Sequence, residues 1–158
     1  MKHVAIDDVD TEVNPLQVHE IRKPVSRALG TTDFAMNYFE LAPGDSFSGG
    51  LHTHHDQEEV FYVESGTATF DVGKDREQIE VDERELVRFE PGEFQTGYND
   101  TDKRVVGWAL GAPGSQHDWD DIRSYVYCPD CEDEREHDLA FVDGGFELTC
   151  RECGNTQG

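Results

Sequence analysis

The stretch from Leu51 to Gly66 restricts the fold more than any other part of the chain. It reads as a strand, a polar turn, a second strand and a tight glycine turn. Side chains in a strand repeat every second residue on one face, so His52 and His54 point the same way. Glu59 opens the next strand and comes back beside them. Two imidazoles and a carboxylate converging on one face make a half-built metal site. With open positions, such a ligand set serves Fe(II), Mn(II), Zn(II) or Ni(II). A His-x-His pair alone is more often two solvated side chains than a ligand pair, and the spacing to Glu59 and Gly66 is what favours the metal. His55 faces the other way or lies in the turn, and Glu58 is the outward partner of Glu59.

The rest of the first two thirds has the same texture. Short β segments are expected at Phe34–Leu41, His52–His54, Glu59–Glu64, Thr67–Val72, Gln78–Val81, Leu86–Phe89, Gln95–Tyr98 and Arg104–Leu110. Gly, Pro, Asp and Asn break them at the spacing of a sandwich or barrel. Phe61, Val63, Phe70 and Phe89 fall on the inward positions, where core packing is the first use of such residues. Tyr62, Tyr98 and Trp108 are further strand aromatics within reach of a pocket mouth. Residues 1–29 are polar and irregular, an arm to lie on the sheet or on a second subunit, and residues 113–122 read as a linker.

The His52, His54, Glu59 and Gly66 spacing resembles the first signature of the cupin superfamily, G-x5-H-x-H-x3,4-E-x6-G. The leading glycine is displaced, since Gly44 lies two residues too far upstream. The second signature, G-x5-P-x-G-x2-H-x3-N, is echoed between Arg84 and Asn99. Gly92 and Asn99 match, Pro91 is shifted by one, Arg84 replaces the glycine, and Gln95 stands where the third metal-binding histidine is expected. The resemblance covers residues 30–112. It implies an all-β double-stranded β-helix, or jelly-roll barrel. It further implies a barrel metal on His52, His54 and Glu59, with Gln95 as the fourth candidate ligand, and a homodimer. A glutamine amide is neutral and binds late transition metals less well than imidazole. Gln95 therefore either completes a weak site or hydrogen-bonds a small polar ligand.

All four cysteines lie near the end, as Cys128-Pro129-Asp130-Cys131 and Cys150-Arg151-Glu152-Cys153. Two C-x2-C pairs separated by eighteen residues have the spacing of a four-thiolate zinc site. Leu139–Val142 and Phe146–Thr149 flank Asp143-Gly144-Gly145 and form a hairpin, and Ser124–Tyr127 adds a strand. Residues 123–158 resemble a zinc ribbon, too small to fold without its metal. Four thiolates leave no open position, so this zinc is structural rather than catalytic. Disulfides and a thioredoxin-like redox pair are the competing readings. The absence of a secretory pattern and of a βαβ setting count against them. His137 is surplus to the four thiolates, and His117 has no evident companion.

The formal net charge is −22, spread along the chain rather than gathered in a tail. Self-repulsion of that size is tolerable at high ionic strength, where screening shortens to about 3 Å at 1 M salt. The pattern resembles cytoplasmic proteins of salt-loving archaea, haloarchaeal cupin proteins among them. The other reading is a surface that repels nucleic acid or attracts a basic partner. In the ribbon Glu132, Asp133, Glu134, Glu136, Asp138, Asp143, Glu147 and Glu152 outnumber Arg135 and Arg151, the opposite sign to that needed for phosphate backbones. A protein contact or a pocket lid is expected of it instead. The N-terminus lacks an apolar signal segment, and no apolar run is long enough to span a bilayer, so a cytoplasmic protein is expected.

Three functions are consistent with these residues. The first is a metal-dependent oxygenase-type or isomerase-type cupin acting on a small molecule, and the second a non-catalytic sensor whose ribbon meets a protein partner. The third is a storage or stress protein with no site chemistry. No triad, phosphate loop or evident general base distinguishes them.

Overall fold

A computed structural model describes residues 1–116 and 119–158. His117 lies outside the described residues. The fold is an all-β double sheet. In chain order its strands are β1 (Ile21–Pro24), β2 (Ala35–Leu41), β3 (His52–His54), β4 (Glu58–Ser65), β5 (Thr67–Val72), β6 (Glu77–Asp82) and β7 (Leu86–Phe89). They continue with β8 (Gln95–Tyr98), β9 (Val105–Ala112), β10 (Ile122–Cys128), β11 (Asp133–Val142), β12 (Gly145–Cys150) and β13 (Thr156–Gln157). One short helix, α1 (Val25–Leu29), follows β1 and ends at Gly30 in the left-handed conformation.

The first sheet has the order β1-β2-β9-β4-β7 and the second β13-β12-β11-β10-β3-β8-β5-β6. Between them lies an aromatic core. Phe47, Phe61 and Phe70 stack within 5.9 Å of one another, and Phe89 joins Phe70 at 5.6 Å. Phe61, Val63, Phe70 and Phe89 are all buried. Each such side chain contributes about 1.5–3 kcal/mol by leaving water. The core leaves no room for a Cβ at Gly97, which would lie 2.3 Å from the Phe70 ring. The interior of the barrel is therefore filled at this level, and any ligand space lies toward one end.

Two turns explain the echoes of the family signatures. Gly66 has φ +85, and a Cβ there would approach the Arg104 carbonyl oxygen to 2.9 Å, so this tight turn takes glycine. Arg84 stands at a family glycine position and has φ 69, so the turn keeps its left-handed backbone after the side chain has changed. Asn99, fully buried, donates to the Leu41 and Lys103 carbonyls and accepts from Thr101. It replaces backbone partners that a loop cannot supply.

Two boundaries differ from those expected. Within residues 1–29, β1 pairs with β2 through Ile21↔Glu40 to Pro24↔Asn37 and so belongs to the barrel sheet. A four-residue strand has too little periodicity to be read from sequence. At the other end, β10 begins at Ile122, inside the expected linker, and pairs directly with β3. The C-terminal module continues the barrel sheet rather than hanging from a tether. Gln57 secures the crossing: it is buried, and its amide donates to the carbonyls of Pro113 and Gly114 at 2.6 and 3.1 Å.

Among the described residues, no helix is long and apolar enough to cross a membrane.

Candidate metal centres

β3 is only three residues long, and the alternation of a strand turns His52 and His54 to the same side. Glu59 enters from β4 in the facing sheet. The nitrogen and oxygen atoms that His52, His54 and Glu59 offer lie within 4.8 Å of one another, close enough to hold one ion. His54 Nε2 is 3.5 Å from Glu59 Oε1. His52 Nδ1 stands 2.8 Å from the Gly50 carbonyl oxygen. That contact holds Nδ1 as the donor and turns Nε2 inward, the outer-shell hydrogen bond typical of a ligating histidine.

Gln95, in register with His52, completes the cluster from β8. Its Nε2 donates to Glu59 Oε2 at 2.7 Å, while its Oε1 is buried with no partner among the described residues. An amide reverses its ends by half a turn, and the reversed Gln95 presents Oε1 to the cluster. The donor set therefore fits a divalent transition metal: two imidazoles, one carboxylate and a spare buried oxygen. Burial raises the Glu59 carboxyl to about 7, only partly offset by the Gln95 hydrogen bond.

His55 is exposed, and Glu58 pairs outward with Arg88. Tyr62 and Trp108 stand opposite each other in the first sheet, and Trp108 donates to the exposed Glu64. The Tyr98 hydroxyl donates to Asp71. None of these three aromatics enters the cluster.

The second cluster lies in β10–β12 and the turns that follow them. Cys128 Sγ is 3.5 Å from Cys153 Sγ, and Cys131 Sγ is 3.9 Å from Cys150 Sγ. Sulfurs on a tetrahedral zinc, with Zn–S about 2.3 Å, are about 3.8 Å apart. The four cysteines are free thiols, not disulfides. Both C-x2-C turns are closed by a left-handed residue directly after the second cysteine, Glu132 (φ 54) and Gly154 (φ 77). Backbone N–H groups of Cys153 and Glu152 directed at Cys150 lower its thiol to about 6, favouring the thiolate that a metal takes. His137 is completely buried against this module. Its Nδ1 is 2.9 Å from the Arg135 carbonyl oxygen and its Nε2 is 3.2 Å from the Gln157 amide, so it serves packing rather than the thiolate cluster.

Residues 37–108 match the family model described as Cupin domain. This part of the chain is similar to a cupin domain. Its fold recurs in solved structures. A sugar phosphate isomerase of the cupin superfamily from Silicibacter pomeroyi aligns with TM-score 0.72 at 16% identity, covering 99% of this chain and 98% of the other. The polyketide cyclase RemF from Streptomyces resistomycificus gives 0.66 at 19% identity, covering 82% and 89%. A double-stranded β-helix protein from Klebsiella pneumoniae gives 0.56 at 21% identity, covering 72% and 91%. At these identities the likeness is one of fold. No curated protein matches the sequence.

The barrel and the four-cysteine module, which fits a small zinc ribbon, meet through β3. That strand makes one bridging pair with β8, His52↔Gln95, but three with β10, from Ile122↔His54 to Ser124↔His52. The strand bearing both histidines is thus held chiefly by the ribbon's first strand. Ion pairs add to the joint, Lys74–Glu136 at 2.6 Å and Arg76–Glu134 at 2.5 Å. Lys74 also lies over the Phe94 and Tyr125 rings, at 5.0 and 5.1 Å. Sequence reading had no signal for this joint, because sheet pairing across seventy residues leaves no local pattern.

Two outcomes follow from the geometry. In metal-free protein, the folded state binds the Glu59 proton up to about pH 7, whereas the unfolded chain releases it near 4.5. Stability therefore falls as pH rises through that window, by about 3 kcal/mol at most. Denaturant titrations at pH 5 and pH 8 should show Glu59→Gln flattening this slope and gaining most at pH 8; an unchanged slope contradicts it. Separately, Cys128→Ser/Cys131→Ser should speed amide exchange in residues 51–56 by about tenfold, with β5 and β6 unaffected. Faster exchange confined to residues 122–157 would show that β3 stands without the ribbon.

Proposed function

We propose that the protein is a metal-dependent cupin that binds and acts on a small polar molecule at the open end of its barrel. Its C-terminal module is a zinc ribbon that supports the barrel. The observation that carries the reading is the convergence of His52, His54 and Glu59 beside the buried, unpartnered oxygen of Gln95. A divalent metal there, Fe, Mn, Ni or Zn, would supply Lewis acidity toward a carbonyl or hydroxyl oxygen. Glu59 and the histidines hold the ion, and the Gln95 amide donates to or accepts from a polar ligand group. Two fold relatives carry enzyme names, a sugar phosphate isomerase and a polyketide cyclase, which accords with a catalytic use of such a site.

The substitution of histidine by Gln95 favours a second reading, a binding protein without turnover. A neutral amide weakens the hold on the metal, and its ability to donate and accept suits ligand recognition. Metal content per chain, measured on protein prepared without chelators or a histidine tag, tests both. One zinc plus a second metal, the latter lost in His52→Ala/His54→Ala, is the expected result. A single zinc unchanged in that variant would remove the barrel metal from the account.

The assembly we propose is a homodimer paired through the outer face of the first sheet. Tyr38, Trp108, Tyr62 and Leu86 stand in one cross-strand row there, and Leu86 is largely exposed. An aromatic row of this kind is out of place on the surface of a chain with a net charge of −22. Sedimentation should give a dimer for the native chain and a monomer for Trp108→Glu; a native monomer overturns the assignment.

A further inference from the structure

His19 is a buried histidine that the metal reading leaves unused. It is 5% exposed and belongs to neither metal cluster. Its Nδ1 is 2.8 Å from the Ser46 carbonyl oxygen. A carbonyl only accepts, so Nδ1 carries the hydrogen and Nε2 the lone pair. Nε2 is buried with no hydrogen-bond partner among the described residues. The ring meets that of Phe39 edge-on at 5.2 Å.

Residues 13–20 form a strap whose two ends are fixed elsewhere. The Glu12 N–H donates to the Arg22 carbonyl at 2.8 Å, and β1 begins at Ile21. The middle of the strap lies against the loop that leads from β2 to β3. The Ser46 N–H donates to the Val18 carbonyl at 2.8 Å and the Ser46 carbonyl accepts from His19, so both backbone groups of Ser46 are gripped. Leu16 fills the place that a side chain on Gly49 would take. The loop does not need the strap to stay on the barrel, because the Phe47 N–H donates to the Gly97 carbonyl at 2.9 Å and Phe47 belongs to the core. Beyond Ser46 the loop runs into the strand of the barrel histidines. Ser46 Oγ donates to the Ser48 carbonyl at 2.6 Å, and the Gly50 carbonyl accepts from His52 Nδ1 at 2.8 Å.

We propose that His19 is a positioning residue and a pH-sensitive clasp: its neutral ring holds the strap on the Ser46–Gly50 loop, which carries the carbonyl that orients His52, and its protonation opens the strap. A second proton would sit on Nε2, where no acceptor stands, and would place a charge beside Phe39. The charged groups around the ring do not make up for this. Arg22 on β1 repels the proton and is itself paired with Glu12. Asp45 in the loop attracts it, but its Oδ2 already accepts from the Ala42 N–H at 3.0 Å. From β2 the ring meets Phe39, and Glu20, next in the chain, is exposed. Burial accordingly lowers the pKa of His19 below its ordinary 6.5, against the opposing pull of the Ser46 hydrogen bond. The open strap takes up the proton at the ordinary value and the closed one only at lower pH. The clasp is therefore at full strength above pH 6.5 and weakens as pH falls below it. That His52 holds a metal rests on the reading above; the clasp itself does not.

Hydrogen exchange of the Ser46 amide, followed by NMR on the full chain and expressed as a protection factor, tests this. Ser46 protection should fall about tenfold from pH 8 to pH 5, while that of Phe47, bonded to the barrel, stays level. His19→Asn keeps a donor near the Nδ1 position but cannot titrate, and should hold Ser46 protection level over that range. His19→Leu has no donor and should lower it at both pH values. Equal protection of Ser46 at the two pH values in the native chain would overturn the clasp, as would a pH dependence that survives in His19→Asn. If circular dichroism shows a variant misfolded, the native ring decides: titration of His19 below 6.5 supports the proposal, and titration at or above 6.5 overturns it. At pH 8 the Nδ1 hydrogen of His52 should exchange with water faster in His19→Leu than in His19→Asn, and equal rates would overturn the link to His52. None of these readouts requires a metal in the barrel, so loss of the metal reading would leave the clasp standing.

Discussion

The three residues of β3 are the hinge of this molecule's organisation. A strand so short cannot hold itself, and its single pair with β8 adds little. Its geometry comes from lying between two neighbours, one from the barrel and one from the C-terminal module. Everything chemical in the barrel follows from that placement. His52 and His54 share a face because they alternate, and they meet Glu59 because the two sheets pack around the phenylalanine core. Gln95 joins them because its strand is in register with His52.

The same logic makes the four-cysteine module more than an appendage. Its thiolates fix the far end of β10, and β10 lies along the histidines. The four thiols and the His52, His54 and Glu59 cluster are thus connected by continuous backbone hydrogen bonding rather than by a flexible connection. Small changes in the angle between the two modules reach the barrel ligands through one strand. The ion pairs and the Lys74 contact to Phe94 and Tyr125 resist such changes.

Much of this was legible before any coordinates. The alternation around His52 and His54, the return of Glu59, and the two C-x2-C pairs are local patterns, and local patterns survive in sequence. The absence of a third histidine was equally plain at Gln95. What could not be read was long-range. The short β1 has no periodicity to reveal it, so its membership of the sheet and the inward direction of Arg22 emerge only from register with Phe39. The start of β10 at Ile122 lies in a polar run that resembles a linker, and its pairing with β3 depends on chain closure over many residues. Gln57 reads as an ordinary turn residue, yet it is buried against three carbonyls. Burial of a polar side chain is a property of the fold that its immediate neighbours do not announce.

The continuous second sheet also settles how its strand ends meet solvent. Without β10, the outer side of β3 would present unpaired backbone groups, an open template for another chain. With it, the exposed margin moves outward to β13, a strand of two residues. The opposite margin is β6, whose sequence Glu77-Gln78-Ile79-Glu80-Val81-Asp82 carries three carboxylates. One border is too short to recruit a neighbour and the other is too charged. The ribbon thus shields the histidine-bearing strand from unwanted β-pairing with other molecules, a protection independent of any metal chemistry in the barrel.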